Sequence, residues 1–404
     1  MSANPIISGV ICEYNPFHYG HNALIEQTRR NGATHVVAVL GGNFVQRGEP
    51  ACFEKGIRAQ AALACGIDLV LELPLPWAMA RAETFAFGGV FLLHQLGCVD
   101  RLAFGSEHGE ISALSALADT LLSPNFFQSL SSFLKAGKPF AYARQKAIEK
   151  LCGAEIASLL EHPNNILGVE YCKALHRLQS SIQPETMPRL GAGYHDVTSS
   201  HSYPSATQLR HLLKENLHLD FSSYMPQAAA ELFRKECESG RIASLQRLET
   251  AVLSHLRSLS PKDLARLPDI SEGLENRLWH GIRQAITLDE LYAYTKSKRY
   301  SHARIRRIVL SSFLGITAQD TQAPPPYLRV LGMNPRGMEI LHLAKQTAKL
   351  PIVTKYAAIQ SQSNWAKHLF SLECRGMDLF TLSFLRPQGC GLEQSRGIIV
   401  TNQC

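Results

Sequence analysis

The stretch GVICEYNPFHYGH, residues 9–21, decides the fold of this chain. Its apolar first half predicts a buried strand, and the residues from His21 through Arg30 carry a helical pattern. A strand that passes through a short loop into a helix is the opening unit of a doubly wound α/β domain. The loop would then lie at the carboxyl end of the first strand, where such domains bind their ligands.

The rest of the first 110 residues repeats this alternation of strand and helix. Short apolar strands separated by helices predict a parallel sheet with right-handed crossovers. The predicted strands are THVVAVLGG (34–42), DLVLELP (68–74) and DRLAFGS (100–106), with helices at KGIRAQAALACG (55–66) and TFAFGGVFLLHQL (84–96). The predicted fold class is therefore α/β, with a Rossmann-like, parallel-sheet domain at the N-terminus.

The remainder of the chain is mainly helical in pattern. PETMPRLGAGYHD (184–196) predicts a strand and then a loop, residues 226–320 show helices only, and a triple proline at 324–326 marks a break. The last residues mix strand-like pieces with helical ones. We expect a Rossmann-like domain over residues 1–222, a helical, basic region over 223–322 and a C-terminal α/β region over 323–404.

Composition excludes several classes of protein. With 404 residues, 45% hydrophobic and 19% charged, the chain is globular and large enough for two or three domains. Its formal charge of +7 favours polyanionic partners only weakly. The N-terminus lacks the pattern of a signal peptide, and no membrane span or protein partner is predicted. Ten cysteines without a C-x-x-C pair indicate reduced, mostly buried thiols and a cytoplasmic location.

The pair His18 and His21 brackets a glycine in the loop after the first strand. Two imidazoles held by a tight turn can both face a phosphate chain, and the following helix adds N–H donors and a favourable dipole. Donors placed there would stabilise the charge that develops when a nucleophile attacks the α-phosphorus. A metal site would need a third ligand, so no metal ligand is predicted. The alternative is two ordinary histidines in a loop.

The string EYNPFHYGH resembles the signature of the HxGH nucleotidyltransferases, which include class I aminoacyl-tRNA synthetases and small adenylyltransferases. Longer strings make the chain similar to one family in particular, the tRNA(Met) cytidine acetate ligases. These strings are GGNFVQRGEPACFEKGIRAQAAL, DLVLELP, LAFGSE, HPNNILGVEYCKAL, RLGAGYHD, YPSATQLR, KSKRYSHARIRR and YLRVLG, and they span essentially the whole sequence.

The resemblance implies an enzyme that activates acetate with ATP, forming acetyl-adenylate and pyrophosphate. It then acetylates N4 of the wobble cytidine of elongator tRNA(Met). His18 and His21 would be catalytic, and Mg²⁺ is the expected metal cofactor. The implied ATP-binding residues are Ile11, Cys12, Glu13, Tyr14, Asn15, Pro16, Phe17, His18, Tyr19, Gly20, His21, Asn22, Ala23, Leu24, Gly105, Asn164 and Arg189.

Other residues suit the same site, each with a plainer alternative. Gly105 would let an adenosine pack against backbone, or it simply ends a strand. Asn164 can read an adenine or ribose edge or cap a helix. Arg189 can clamp phosphate or lie on the surface. Ser205, Thr207 and Arg210 resemble a segment that holds the β- and γ-phosphates, although a helix cap would explain the hydroxyls.

Residues near the second predicted strand add positive charge. Arg47 follows two glycines in a loop and could reach a phosphate or a carboxylate. Lys55 and Arg58 lie one helical turn apart and could line the same rim, or they could form a solvated helix face.

The segment 296–307 carries six Lys or Arg and no acid. Clustered cations contact RNA phosphates, and an aromatic ring can stack on an unpaired base. We therefore predict a tRNA-binding role, with a solvated basic helix as the alternative. Two rival functions remain open, an adenylyltransferase for a phosphorylated small metabolite and a non-catalytic tRNA-binding protein. The predicted contacts are Lys296, Lys298, Arg299, Tyr300, Arg304, Arg306 and Arg307.

Overall fold

A computed structural model describes residues 5–138, 140–189, 205–217, 219–271, 273–297 and 299–402. The strands are β1 Ile7–Cys12, β2 His35–Gly41, β3 Phe44–Val45, β4 Glu49–Pro50, β5 Leu69–Leu73, β6 Arg101–Ser106, β7 Gln183–Pro188, β8 Leu328–Met333, β9 Ile352–Val353 and β10 Ile399–Val400. The first helices are α1 Tyr19–Arg30, α2 Lys55–Ala64, α3 Leu75–Ala78, α4 Ala82–Leu96, α5 Ile111–Leu122, α6 Pro124–Lys135, α7 Phe140–Cys152, α8 Ala154–Ser158 and α9 Pro163–Arg177. The later ones are α10 Ala206–Glu215, α11 Gln227–Glu238, α12 Leu245–Arg257, α13 Pro261–Leu264, α14 Leu274–Gln284, α15 Leu288–Thr295, α16 His302–Leu314, α17 Pro335–Thr347, α18 Asn364–Thr381 and α19 Leu392–Ser395.

A parallel sheet forms the centre of the molecule, in the order β5-β2-β1-β6-β7. Strands β2 and β5 are buried along their whole length, which explains their continuous apolar sequence. The chain runs outward from β1 through β2 to β5 and then returns to β6 on the other side of β1. This reversal opens a crevice at the carboxyl ends of β1 and β6, the usual ligand position in such sheets. The predicted parallel α/β fold is confirmed.

Helix α4 lies close against the sheet because it carries a glycine where it crosses β1. A Cβ atom at Gly89 would come within 2.7 Å of the Ile11 Cδ1 atom, so any larger residue would push the helix away. Helix α9 packs beside α4 on the same face, and α2 and α11 pack together as another helix pair. The crevice is therefore floored by strand ends and walled by the first turns of helices.

The C-terminal residues complete the same sheet, because the α/β region predicted over 323–404 contributes β8, β9 and β10 to it. Strand β8 pairs antiparallel with β5, and β9 and β10 pair in parallel with β8. The physical reason is the free edge of β5, which would otherwise expose unpaired N–H and C=O groups beside a buried core.

A buried group of charges joins these C-terminal strands to the N-terminal domain. The Lys55 ammonium lies 2.7 Å from a Glu393 oxygen and 3.3 Å from a Glu373 oxygen, and it also bonds Glu72. Arg329 contacts Glu72 at 2.8 Å and also Glu393. Burial and the neighbouring Glu72 raise the pKa of Glu373, while the Lys55 ammonium lowers it. Arg396 adds a third cation at the edge of the group, 4.0 Å from a Glu393 oxygen.

Side-chain packing joins residues on the two sides of position 222. Helix α11 packs on α2, and its Phe233 ring stacks on Phe53 with centroids 4.5 Å apart. This helix therefore packs against the N-terminal layer, across the boundary predicted at residue 222. Helical periodicity alone does not show which partner a helix packs against.

None of the helices in the described residues is long and apolar enough to cross a membrane. The nine cysteines described are free thiols, and among them Cys390 alone is exposed.

Candidate functional site

A cavity of about 900 Å³ opens at the carboxyl ends of β1 and β6. Strand ends form its floor, and the first turns of α1, α9 and α10 form its walls. The predicted residues that line it are Ile11, Cys12, Glu13, Tyr14, Asn15, His18, His21, Leu24, Gly105, Asn164, Arg189, Ser205, Thr207 and Arg210. Residues separated by almost two hundred positions in the sequence therefore meet in one crevice.

His18 and His21 cap the helix that they begin. His18 is the N-cap of α1, and its Nδ1 atom accepts a bond from the Gly20 N–H at 3.0 Å. The His21 Nδ1 atom accepts in return from the His18 N–H at 3.3 Å. These reciprocal bonds form a capping box built from two imidazoles. Because each Nδ1 accepts, each neutral ring carries its proton on Nε2.

The remaining donor of His18, its Nε2 N–H, has no hydrogen-bond partner among the described residues. The Nε2 atom is buried, and a buried N–H of this kind costs free energy until a ligand accepts from it. Because His18 also lines the cavity, this unsatisfied donor lies in the cavity wall.

Glycine is required between the histidines because the His18 ring lies over it. A Cβ atom at Gly20 would come within 2.9 Å of the His18 Cε1 atom and 3.0 Å of its Nδ1 atom. The ring cannot easily move aside, since it stacks on His21 with centroids 3.8 Å apart. The x-G-H spacing is thus a packing requirement of the cap.

Both imidazoles are held neutral. Burial lowers the pKa of His18 to about 4, with further lowering from the Arg189 and Arg210 charges. Burial also lowers the pKa of His21 well below its usual value, together with His18 and Arg189. Near neutral pH the rings are uncharged donors, and the positive charge of the cavity comes from arginines.

Two arginines converge on one hydroxyl at the start of α10. The Thr207 Oγ1 atom accepts from Arg47 at 3.0 Å and from Arg210 at 3.0 Å. Arg210 also donates to the Asn15 carbonyl at 2.9 Å, which ties α10 to the loop after β1. Ser205 caps α10 through a capping box with Gln208. The cap interpretation of the serine is therefore correct, while the phosphate role of Thr207 and Arg210 stays a prediction.

On the opposite wall, Asn164 links a cation to an anion. Its Oδ1 atom accepts from Arg189 at 2.7 Å, and its Nδ2 atom donates to Glu107 at 2.6 Å. Glu107 also accepts from the Asn165 N–H at 2.8 Å, so this carboxylate caps α9. Below them, a Cβ atom at Gly105 would meet the Arg189 Cγ atom at 3.0 Å. In this structure Gly105 thus makes room for an arginine side chain.

The floor of the cavity contains a buried carboxyl. Glu13 accepts from the Gln46 N–H at 2.8 Å, and burial raises its pKa. Beneath it, Arg58 is fully buried and donates to the carbonyl oxygens of Phe53 at 2.9 Å and Gly41 at 3.1 Å. Arg58 therefore fixes strand ends, and neither it nor the buried Lys55 forms a solvated face or a rim.

Several residues of the predicted ATP-binding loop lie behind the cavity wall. Phe17 is fully buried and packs against Tyr14, with ring centroids 4.9 Å apart. Tyr19 donates its backbone N–H to the Tyr224 carbonyl at 2.9 Å. These residues shape the loop without lining the cavity, and the whole group is Pro16, Phe17, Tyr19, Gly20, Asn22 and Ala23.

Sequence reasoning did not single out part of the lining. Tyr171 and Leu167 share a face of α9 with Asn164, and they line the cavity together. Their spacing of three and four residues is the helical signal that identifies them. Phe85 and Gln46 carried no comparable signal, because they reach the cavity only through tertiary packing.

The residues predicted to bind tRNA lie in different parts of the structure. Arg299, Arg304 and Arg307 line a second cavity of about 930 Å³. Arg306 instead contacts Glu49 at 2.5 Å in the N-terminal domain. Lys296 is exposed, and Lys298 lies outside the described residues.

Tyr300 packs against a neighbouring arginine. Its side chain is buried at 6% exposure, and the Arg304 guanidinium covers its ring at 5.1 Å from the centroid. Arg304 thus covers one face of the ring, and the stacking of Tyr300 on an unpaired base stays a prediction.

Comparison with known proteins agrees with this geometry. The family model described as HIGH Nucleotidyl Transferase matches residues 6–392. A crystal structure of Thermotoga maritima TmcAL bound with alpha-thio ATP superposes with a TM-score of 0.91 at 32% identity, covering 98% of this chain and 100% of that one. An apo form of the same protein gives a TM-score of 0.92. The chain therefore belongs to the HIGH nucleotidyltransferases.

Proteins similar in sequence identify the family within this class. The tRNA(Met) cytidine acetate ligase of Alkaliphilus metalliredigens is 39% identical over 401 residues, covering 93% of this chain and 94% of the relative. The protein of the same name from Caldanaerobacter subterraneus subsp. tengcongensis is 38% identical over 383 residues. The chain belongs to the tRNA(Met) cytidine acetate ligase family, which confirms the resemblance stated from the sequence.

Proposed function

We propose that this chain activates acetate with ATP and then acetylates N4 of the wobble cytidine of elongator tRNA(Met). The observation that carries the proposal is the capped histidine pair in the wall of a cavity that three arginines also line, with the His18 Nε2 donor buried and unpartnered among the described residues. The names of the relatives and the nucleotide analogue bound by the Thermotoga protein support the same reaction.

In the first step, a carboxylate oxygen of acetate forms a bond to the α-phosphorus, and the bond from that phosphorus to the bridging oxygen breaks. Pyrophosphate leaves with the electron pair. His18 and His21 would donate hydrogen bonds to the phosphate oxygens on which negative charge develops. Because both imidazoles are neutral, they leave no unpaired positive charge in the cavity when ATP is absent. Arg47 and Arg210, joined at Thr207, are placed to hold the leaving pyrophosphate.

In the second step, the N4 amine of cytidine attacks the acetyl carbon, the bond to AMP breaks, and a proton leaves the nitrogen. The cytosine amine is a weak nucleophile, so a preformed mixed anhydride gives the step its driving force. A wobble base is unpaired and can enter the crevice without opening a duplex.

The expected Mg²⁺ finds no prepared ligand set in the described residues. They contain no group of three or more His, Cys, Asp or Glu side chains placed to hold a metal. In the cavity, Glu107 already caps α9, and Glu13 accepts from Gln46. Mg²⁺ would therefore enter on the phosphates of ATP, and no residue is assigned to it.

We also propose a cytoplasmic location. The described cysteines are free thiols, as is usual in that reducing compartment.

Pyrophosphate exchange into ATP tests the first step, and variants of His18 separate chemistry from folding. His18→Asn keeps a side-chain oxygen that can accept from the Gly20 N–H, but it removes the Nε2 donor. We expect exchange that depends on acetate in the wild type and falls about a hundredfold or more in this variant, at unchanged stability.

Two further variants complete that experiment. His18→Ala should lose the same activity and also about 1 kcal/mol of stability, because the cap is gone. His280→Asn, an exposed histidine outside the cavity, should behave as wild type. Exchange that ignores acetate, or His18→Asn with wild-type activity, would refute the proposed reaction at this site.

A further inference from the structure

The second cavity lies between the N-terminal domain and the helical region. One wall comes from the α3–α4 connection and the end of α6, and the other comes from the loop before α14 and from α16. Apolar side chains in its lining offer contact area for ribose and bases, namely Pro76, Met79, Leu134, Pro268 and Ile270.

The charge of this cavity is strongly one-sided. Five described cations line it against a single described acid, Asp269. That acid is already engaged, since Arg307 lies 3.2 Å from its carboxylate and Arg304 donates to its backbone carbonyl at 2.9 Å. The five cations are Arg81, Lys138, Arg299, Arg304 and Arg307.

The two walls contribute differently. Arg304 and Arg307 hold the loop at Asp269 and so shape the cavity. Arg81 on the facing wall keeps 62% of its side chain exposed and pairs with Glu83 at 3.2 Å. Lys138 is also exposed and follows the end of α6. These N-terminal cations did not belong to the basic segment that the sequence identified.

A single helical turn separates the second cavity, the basic cavity, from the cavity at the ends of β1 and β6, the proposed ATP cavity. Arg81 and Thr84 line the basic cavity, whereas Ala82 and Phe85, the residues next to them, line the ATP cavity. The first turn of α4 thus forms the partition between the two. A helix is only about 10 Å across, a distance that one extended nucleotide can bridge.

We propose that this basic cavity holds the sugar–phosphate backbone of the acceptor RNA beside the wobble base, with Arg81 and Lys138 as phosphate contacts. The base itself would pass over the first turn of α4 to reach the acetyl-adenylate. This surface presupposes the RNA acceptor of the proposed function, and it adds a contact surface on the N-terminal domain.

Direct binding of the full-length chain to an elongator tRNA(Met) transcript tests the surface over a range of salt concentrations. The variants are Arg81→Gln and Lys138→Gln. Arg177→Gln is a matched control, because Arg177 also pairs with Glu83, at 2.8 Å, but does not line the cavity. We expect each cavity variant to weaken binding roughly fivefold and to reduce the salt slope by about one, while the control changes neither.

Pyrophosphate exchange in the same variants separates this surface from the chemistry. Acetate-dependent exchange should stay at the wild-type level in all three, which also shows that the ATP cavity is intact. Wild-type binding by both cavity variants would overturn the assignment, as would a wild-type chain that exchanges with acetate but does not bind the tRNA. A chain that binds the tRNA through these residues but shows no acetate-dependent exchange would refute the proposed reaction and leave the surface standing.

Discussion

Substitution of Gly20 by alanine places one methyl group where the His18 ring now lies. The added Cβ would stand 2.9 Å from Cε1 and 3.0 Å from Nδ1, closer than carbon and nitrogen tolerate. The ring must therefore rotate away, which breaks the bond from the Gly20 N–H and the stacking on His21. The Nε2 donor leaves its position in the cavity.

The expected magnitudes differ for folding and for catalysis. Alanine in a helix is favoured over glycine by about 1 kcal/mol, and loss of the cap costs about 1 kcal/mol, so the free energy of unfolding should change little. Removal of one aligned donor to a developing charge costs about 3 kcal/mol in the transition state, or at least a hundredfold in rate.

Urea unfolding and acetate-dependent pyrophosphate exchange, measured on the same preparation, test this separation. Gly397→Ala is the control, because a Cβ atom there meets nothing within 4 Å. A Gly20→Ala protein that exchanges at the wild-type rate would show that the position of the His18 ring does not matter. A protein that fails to fold would show that the cap contributes far more than about 1 kcal/mol to stability.

Three further outcomes follow from the same geometry. Arg189→Gln should raise the KM for ATP about tenfold in exchange assays, because it removes a charged donor from the cavity wall, and an unchanged KM would exclude that contact. The contribution of His18 to the free energy of unfolding should be constant above about pH 6.5 and should fall by at most about 3 kcal/mol towards pH 4, because the folded state takes up a proton on His18 later than the unfolded state does. That part of the acid sensitivity should be missing in urea titrations of His18→Asn, and its persistence would contradict the pKa assignment. Lys55→Met should destabilise the fold by about 3–5 kcal/mol in urea, since the buried carboxylates would lose the one cation that contacts all three of them, and a loss below about 1 kcal/mol would show that the ion cluster is dispensable.

Local patterns predicted the N-terminal half well. The string at residues 9–21 gave the first strand, the loop and the helix, because each has its own periodicity and the three are adjacent in the chain. The same reasoning placed His18 and His21 at the carboxyl end of β1, where the structure has them. In this capping box, imidazole nitrogens accept the hydrogen bonds that hydroxyl and carboxylate oxygens usually accept. Sequence rules written for hydroxyls and carboxylates do not anticipate it.

Long-range pairing was beyond the sequence. Strand β8 lies more than two hundred and fifty residues from β5, and nothing in either strand specifies an antiparallel partner. Lys55 reads as a solvated lysine on a helix, yet its carboxylate partners come from β5, α18 and α19. A charged residue becomes a core residue only when distant partners neutralise it, and those partners cannot be identified from one sequence.

The basic segment shows the same limit. Its cations were correctly recognised as clustered, but helical geometry sends Arg306 towards Glu49 and Arg304 over Tyr300. Only tertiary packing decides which of them reach a cavity, and the same packing brings Arg81 opposite them.

Transfer of labelled acetate to tRNA tests the central claim most directly. The chain is incubated with ATP, labelled acetate and elongator tRNA(Met), in parallel with a transcript whose wobble cytidine is replaced by uridine. We predict label in the cytidine transcript as N4-acetylcytidine, release of AMP and pyrophosphate, and no label in the uridine transcript. Equal labelling of both transcripts, or AMP transfer to a small phosphorylated metabolite with no labelled tRNA, would contradict the account.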